Sequence, residues 1–196
     1  MTHITAQNNT QAAPQTHLGD RPFYREIDRH LPRIPLSEFQ HLVYIHVDQL
    51  RMHAWEPWIE QCRHAQNELK TAFVLIESHE KGHHIAHHKK KATFILSSAR
   101  HFALELAARD VPVVYVATKK TIVDPLARWL AQDPNRRLTC MEPSDWDERG
   151  LFQDLASTYD GQVDIQPNTL FIADAERWRP KIAPGFRMET FYRALR

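Results

Sequence analysis

His41-Leu42-Val43-Tyr44-Ile45-His46-Val47-Asp48-Gln49-Leu50 is a short, continuous apolar run that ends in a polar turn. Runs of the same kind recur at Thr71–Glu77 (TAFVLIE), Val111–Ala117 (VPVVYVA), Leu138–Met141 (LTCM) and Val163–Ile165 (VDI). They are rich in Val, Ile and Tyr and do not alternate with polar residues. Strands covered on both faces read this way. Amphipathic stretches lie between them. In His88–Arg109, the residues Ile95, Ala99, Phe102, Ala103 and Leu106 repeat at helical spacing. Trp55–Ala65, Thr121–Gln132 and Trp146–Thr158 are further helices, with Asp124-Pro125 and Ser144-x-x-Asp147 as starts. Strands alternating with helices predict an α/β fold, a doubly wound, five-stranded parallel sheet of Rossmann-like type.

Outward from this core the pattern weakens. Residues 1–40 are expected to be a flexible tail and an arm. The first twenty are mostly Gln, Asn, Thr and Ala, with too little apolar bulk to repay ordering. Residues 21–40 carry three prolines and some apolar side chains, as an arm with one helical turn would. The α/β domain is expected over 41–174. Residues 175–196 form a linker and the beginning of a helix, in which Met188, Phe191, Tyr192 and Leu195 make an apolar stripe.

Composition narrows the classes. The chain has 196 residues, of which 42% are hydrophobic and 25% charged, a balance that supports a buried core. No run approaches the roughly 18 apolar residues of a membrane span, and the N-terminus has no secretory apolar core. A reducing, cytoplasmic setting is expected. The formal charge of +1 does not describe a chain that is basic throughout. Two cysteines, Cys62 and Cys140, are too few for a four-cysteine metal or cluster site.

Open parallel sheets bind ligands beyond the carboxyl ends of their strands. Asp48, Glu77 and Glu142 fall at those ends. With the first strand central, Asp48 and Glu77 are expected to be neighbours at the switch point. There they would either accept hydrogen bonds from a sugar-like or heterocyclic ligand, or serve as a helix cap and a salt-bridge partner. Neither G-x-G-x-x-G nor G-x-x-x-x-G-K-[ST] occurs, and G-x-S-x-G is absent. This argues against a dinucleotide dehydrogenase, a P-loop enzyme and a serine hydrolase.

His79, His83, His84, His87 and His88 cluster, with several pairs four apart. On a helix that spacing could hold a soft divalent metal. Gly82 and the preceding strand instead predict a polar loop over 78–86. A stand-alone small-molecule or metal-binding module using this His-rich loop is therefore the alternative function. Lys89-Lys90-Lys91 opposes the dipole of the helix it begins and reads as a solvated face or an anion contact. Trp129, Trp146 and Trp178 read as core or rim packing.

A resemblance adds what spacing does not carry. Gly82–His101 (GHHIAHHKKKATFILSSARH), with the strand before it, resembles the N-terminal region of the deoxyribodipyrimidine photolyase-related proteins, the iron–sulfur bacterial cryptochromes and photolyases. Val47-Asp48-Gln49-Leu50 is similar to the family's G-D-Q-L, with Val47 in place of Gly. Glu77 matches the Glu that ends the second strand. His87-His88-Lys89-Lys90-Lys91 matches H-H-K-K-K, and His84 stands where the family commonly has Tyr. Met141-Glu142-Pro143-Ser144-Asp145-Trp146 and Arg187-Met188-Glu189-Thr190-Phe191-Tyr192-Arg193 also match. The resemblance covers residues 41–196. It implies an antenna domain, able to hold 6,7-dimethyl-8-ribityllumazine at a seat formed by Val47, Asp48, Gln49, Glu77, His84 and His88. It places FAD, the [4Fe–4S] cluster and DNA contact in a helical photolyase domain that this chain does not contain, so the chain is not catalytic alone. A light-harvesting or scaffolding role in photorepair or blue-light sensing follows.

Overall fold

A computed structural model describes residues 22–30, 34–64, 70–84, 88–171, 173 and 175–195. The proposed tail over 1–20 and the candidate His87 lie outside these residues.

Five strands form one parallel sheet: β1 (His41–Tyr44), β2 (Thr71–Ser78), β3 (Val113–Thr118), β4 (Arg137–Met141) and β5 (Val163–Gln166), in the order β3-β2-β1-β4-β5. β1 is central. Val43 faces Phe73 of β2 on one side and Thr139 of β4 on the other. The pleat divides each strand between two cores. Val43, Ile45, Phe73 and Leu75 point to one face, and Leu42, Tyr44, Val74 and Ile76 to the other.

The first face is covered by α1 (Pro22–His30), α2 (Glu56–His64) and α4 (Lys89–Ala107), through Ile27, Ile59, Phe102 and Leu106. The second is covered by α5 (Val123–Leu130) and α6 (Trp146–Thr158), through Leu126, Trp129, Phe152 and Leu155. Helices on both faces make the sheet doubly wound, and they explain why strand residues are apolar without alternation. Tyr44 stacks on Phe152 at 5.2 Å, and Trp55 meets Phe73 edge-on at 6.2 Å. The chain closes with α7 (Ala175–Trp178), a single 3-10 turn and α8 (Met188–Ala194). Trp178 is buried against Phe191, at 4.8 Å, and leaves Met188 and Tyr192 exposed.

Three local expectations need correction. Residues 79–84 are helical (α3, His79–His84) rather than loop. Ser78, the last residue of β2, accepts the Lys81 N–H at 3.1 Å and so caps a helix that begins without a loop. The arm is more than one turn: α1 has nine residues and buries Ile27. The cap of α6 is Asp145, not Ser144; its carboxylate accepts the N–H groups of Asp147 and Glu148 at 3.0 and 3.2 Å. Trp146 beside it is largely exposed, with the Arg149 guanidinium 5.9 Å from its ring centroid.

Candidate functional site

The strand order reverses between β1 and β4. That notch, rather than the junction of β1 with β2, is the switch point where ligands of such sheets bind. β1 ends early because the Gln49 N–H turns back to the His46 carbonyl at 2.9 Å. The turn places His46 inside and Asp48 at the rim. The His46 ring lies between two carboxylates: Nδ1 is 2.6 Å from Asp48 Oδ1, and Nε2 pairs with Glu148 on the first turn of α6. Lys81 of α3 pairs with the other oxygen of Glu148. The side chains of His46 and Glu148 are only 4% and 5% exposed, while Asp48 and Lys81 are 37% and 38% exposed, so a buried pair is flanked by two charges that reach the surface. Burial pushes the Asp48 carboxyl up, but the His46 hydrogen bond and charge, with Ser144, outweigh it and hold it below its ordinary range. Burial lowers the Lys81 ammonium against the opposing pull of Asp145, Asp48 and Asp147.

Gln49 closes the floor of the notch. It is fully buried; its amide donates to the Glu142 carbonyl at 3.1 Å and the Met141 carbonyl at 3.4 Å, and its own carbonyl accepts from Trp55 Nε1 at 2.9 Å. Among the described residues its side-chain oxygen Oε1 has no hydrogen-bond partner. A buried acceptor left open in this way has capacity for a further donor.

Glu77 lies elsewhere. It is the last residue but one of β2, on the α4 side, and Arg100 donates to both its oxygens, at 2.7 and 2.9 Å. The Tyr115 hydroxyl donates to Oε1 at 2.6 Å. The Glu77 hydrogen bond and charge push the Arg100 guanidinium upward, and burial pushes the Tyr115 hydroxyl upward. From α1, Phe23 meets Tyr115 edge-on at 4.8 Å and lies 5.6 Å from the Arg100 guanidinium. Asp48 and Glu77 are thus separate: one belongs to the β1/β4 notch, the other to a roofed triad at the β2/β3 end.

The other candidates sort as follows. Val47 turns its side chain into the core beneath α2 and α4. His88 caps α4, its Nδ1 accepting the Lys90 N–H at 3.2 Å. His84 ends α3, and its side chain, like that of His83, is outside the described set. Among the described residues no group of three or more His, Cys, Asp or Glu is arranged to hold a metal. Cys62 and Cys140 belong to the cores on opposite faces of the sheet, and burial pushes both thiols up to about 12. They do not fit an iron–sulfur cluster.

His46, Lys81, Glu148, Arg100 and Tyr115 were not among the sequence candidates. His46 reads as part of an apolar run, and nothing in its surroundings points to a residue on α6. Asp145-x-x-Glu148 does have capping-box spacing and was the available signal for Glu148.

Residues 43–196 match the family model described as deoxyribodipyrimidine photo-lyase-related protein. A (6-4) photolyase of Agrobacterium fabrum (strain C58 / ATCC 33970) is 30% identical over 130 residues, which is 63% of this chain and 26% of that protein. The chain thus aligns with about a quarter of the length of this curated relative. α1 precedes the matched region. Among the described residues no helix is long and apolar enough to cross a membrane.

Proposed function

The chain belongs to the deoxyribodipyrimidine photo-lyase-related protein family, and from that premise we propose that it is the α/β unit of a light-dependent flavoprotein, holding a light-gathering chromophore and serving as scaffold for a helical partner domain. The chromophore is a lumazine, 6,7-dimethyl-8-ribityllumazine. FAD, the [4Fe–4S] cluster and the contact with DNA belong to the helical partner, and this chain alone performs no repair.

The observation that carries the reading is the unpartnered Gln49 Oε1 at the floor of the switch-point notch, beside Asp48, whose side chain stays 37% exposed. The two together are acceptors for the hydroxyl and N–H groups of a ribityl-substituted ring. Glu77 fits less well, since Arg100 and Tyr115 already occupy its oxygens; its part is to hold those two side chains. When bound, the lumazine supplies absorption at the visible edge and passes excitation on, without chemistry at any residue of this chain.

The test is the absorption spectrum of the purified chain after incubation with the lumazine and gel filtration. A near-visible band that co-elutes with protein and leaves on denaturation is the expected result, weakened in Asp48→Ala. A chain that elutes colourless overturns the antenna role.

A further inference from the structure

α4 turns towards solvent a stripe with an order of its own. Lys90, Phe94, Ser97, His101 and Glu105 follow three- and four-residue steps, so they share one face of the helix, and all are exposed. Phe94 is 72% exposed. A lone exposed ring is ordinary on a protein surface; the order of its neighbours is not. Lys90 and Glu105 lie equally far from a point between Ser97 and Ser98, and so do Phe94 and His101. Opposite charges thus stand at the two ends of the stripe, two rings inside them, and small hydroxyls at the middle. Neither Lys90 nor Glu105 is ion-paired with another described residue. Beside the stripe a groove of about 390 Å³ opens between Leu50 and α4, with the buried Phe102 in its wall.

We propose that this face of α4 binds a second copy of the chain, the two α4 helices packing antiparallel about a two-fold axis between Ser97 and Ser98. A contact of this symmetry needs a patch that complements its own reversed image, and the stripe does so. Across the axis Lys90 of each copy meets Glu105 of the other, Phe94 meets His101, and Ser97 meets Ser98. The short serines let the helices come close. The Phe94 ring leaves water for the other copy's groove, against Leu50 and Phe102. A parallel pairing would instead set Lys90 against Lys90 and Glu105 against Glu105. A crossing angle of about 20° keeps both charged ends within reach of each other, whereas about 50° would splay them. The contact does not depend on what the notch binds.

The test is the mass of the full chain by analytical ultracentrifugation over a loading series. The mass is expected to rise from 23.0 kDa towards twice that value, and to fall back as salt is raised. Phe94→Ala should weaken association about tenfold or more, as the loss of a central anchor does. Lys90→Glu and Glu105→Lys should each weaken it about fivefold or more, because each change creates two like-charge pairs across the axis. Mixing these two charge variants should restore association, since each supplies the charge that the other lacks. All three altered side chains are exposed, and circular dichroism checks that each variant is folded. A chain that stays monomeric at every loading overturns the proposal and leaves the face to solvent or to a different protein. A dimer that Phe94→Ala leaves unchanged overturns it too, as does one that the charge variants leave intact or do not recover on mixing.

Discussion

The carboxyl edge of the sheet has two polar clusters, and they solve the same problem differently. At the β1/β4 notch, a buried pair of His46 and Glu148 is flanked by the partly exposed Asp48 and Lys81, with an imidazole at the centre. At the β2/β3 end, one carboxylate takes a two-pronged guanidinium and a phenol, and a helix from outside the family match lies over them. The notch depends on burial and draws on β1, α3 and α6. The triad is no more exposed at its rim, with Arg100 at 31% and Glu77 at 16%, and it differs in geometry: a planar fork matched to a carboxylate. Polar residues at strand ends are therefore not by themselves a ligand site: here most are paired with one another, while Gln49 Oε1 has no hydrogen-bond partner among the described residues.

Removing one partner should separate the two arrangements most clearly. Glu148→Ala leaves His46 and Lys81 facing an empty buried position, and should cost about 3–5 kcal/mol in urea unfolding, the usual penalty for breaking a buried pair. A loss below 1 kcal/mol would mean the notch is hydrated and its charges contribute little. Glu77→Gln keeps the shape of the triad but removes its charge, and should cost about 1.5–3 kcal/mol, the range for hydrogen bonds to an ionised group. Equal losses in the two variants would erase the distinction between buried and roofed clusters.

Acid should act on the notch and on the opposite end of the sheet. The folded-state value of Asp48 is lowered, so its contribution is present above the ordinary carboxyl value of 3.8 and is lost as pH falls through the folded value. Desolvation lowers His41, against a raising influence of Asp164, and His41 bridges Thr139 and Thr71 at the amino end of the strands. Its contribution is likewise present above its ordinary value of 6.5 and declines as pH falls below it. Two acid steps are expected in stability against pH: Asp48→Asn should flatten the lower and His41→Gln the upper. A profile that Asp48→Asn leaves unchanged would show that the His46 contact is not maintained in solution. The smallest effect is expected outside both clusters. Replacing Lys89, Lys90 and Lys91 with Gln relieves like charge at the start of α4 and should raise stability by about 0.3–1 kcal/mol, read as a later thermal midpoint.

The sheet was legible because its residues obey one rule. Leu42 through Ile45 and Ala72 through Ile76 are buried on both faces, so continuous apolar runs mark them. α4 was legible from the spacing of Ala99, Phe102, Ala103 and Leu106, all buried. α3 was hidden because its cap, Ser78, is also the last residue of a strand, and its sequence HEKGHH has no apolar stripe. The site was less legible than the fold. Asp48 and Gln49 are recognisable as the residues after the central strand, but Gln49 bonds to the end of β4, and the carboxylate that meets His46 from the other side lies on α6. Which strand sits beside β1 on its far side is decided by packing, so the sequence does not show that the switch point lies between β1 and β4 rather than between β1 and β2.

The bond from Gln49 to the Glu142 carbonyl spans 93 positions of chain. As the polypeptide is made from its amino end, β1, β2 and β3 are all available to pair before β4 exists, and the ring of His46 must wait for α6 to meet its second carboxylate. Assembly of the notch therefore waits for α6, and any product cut short ahead of Glu148 would carry an imidazole and an ammonium with no acid between them.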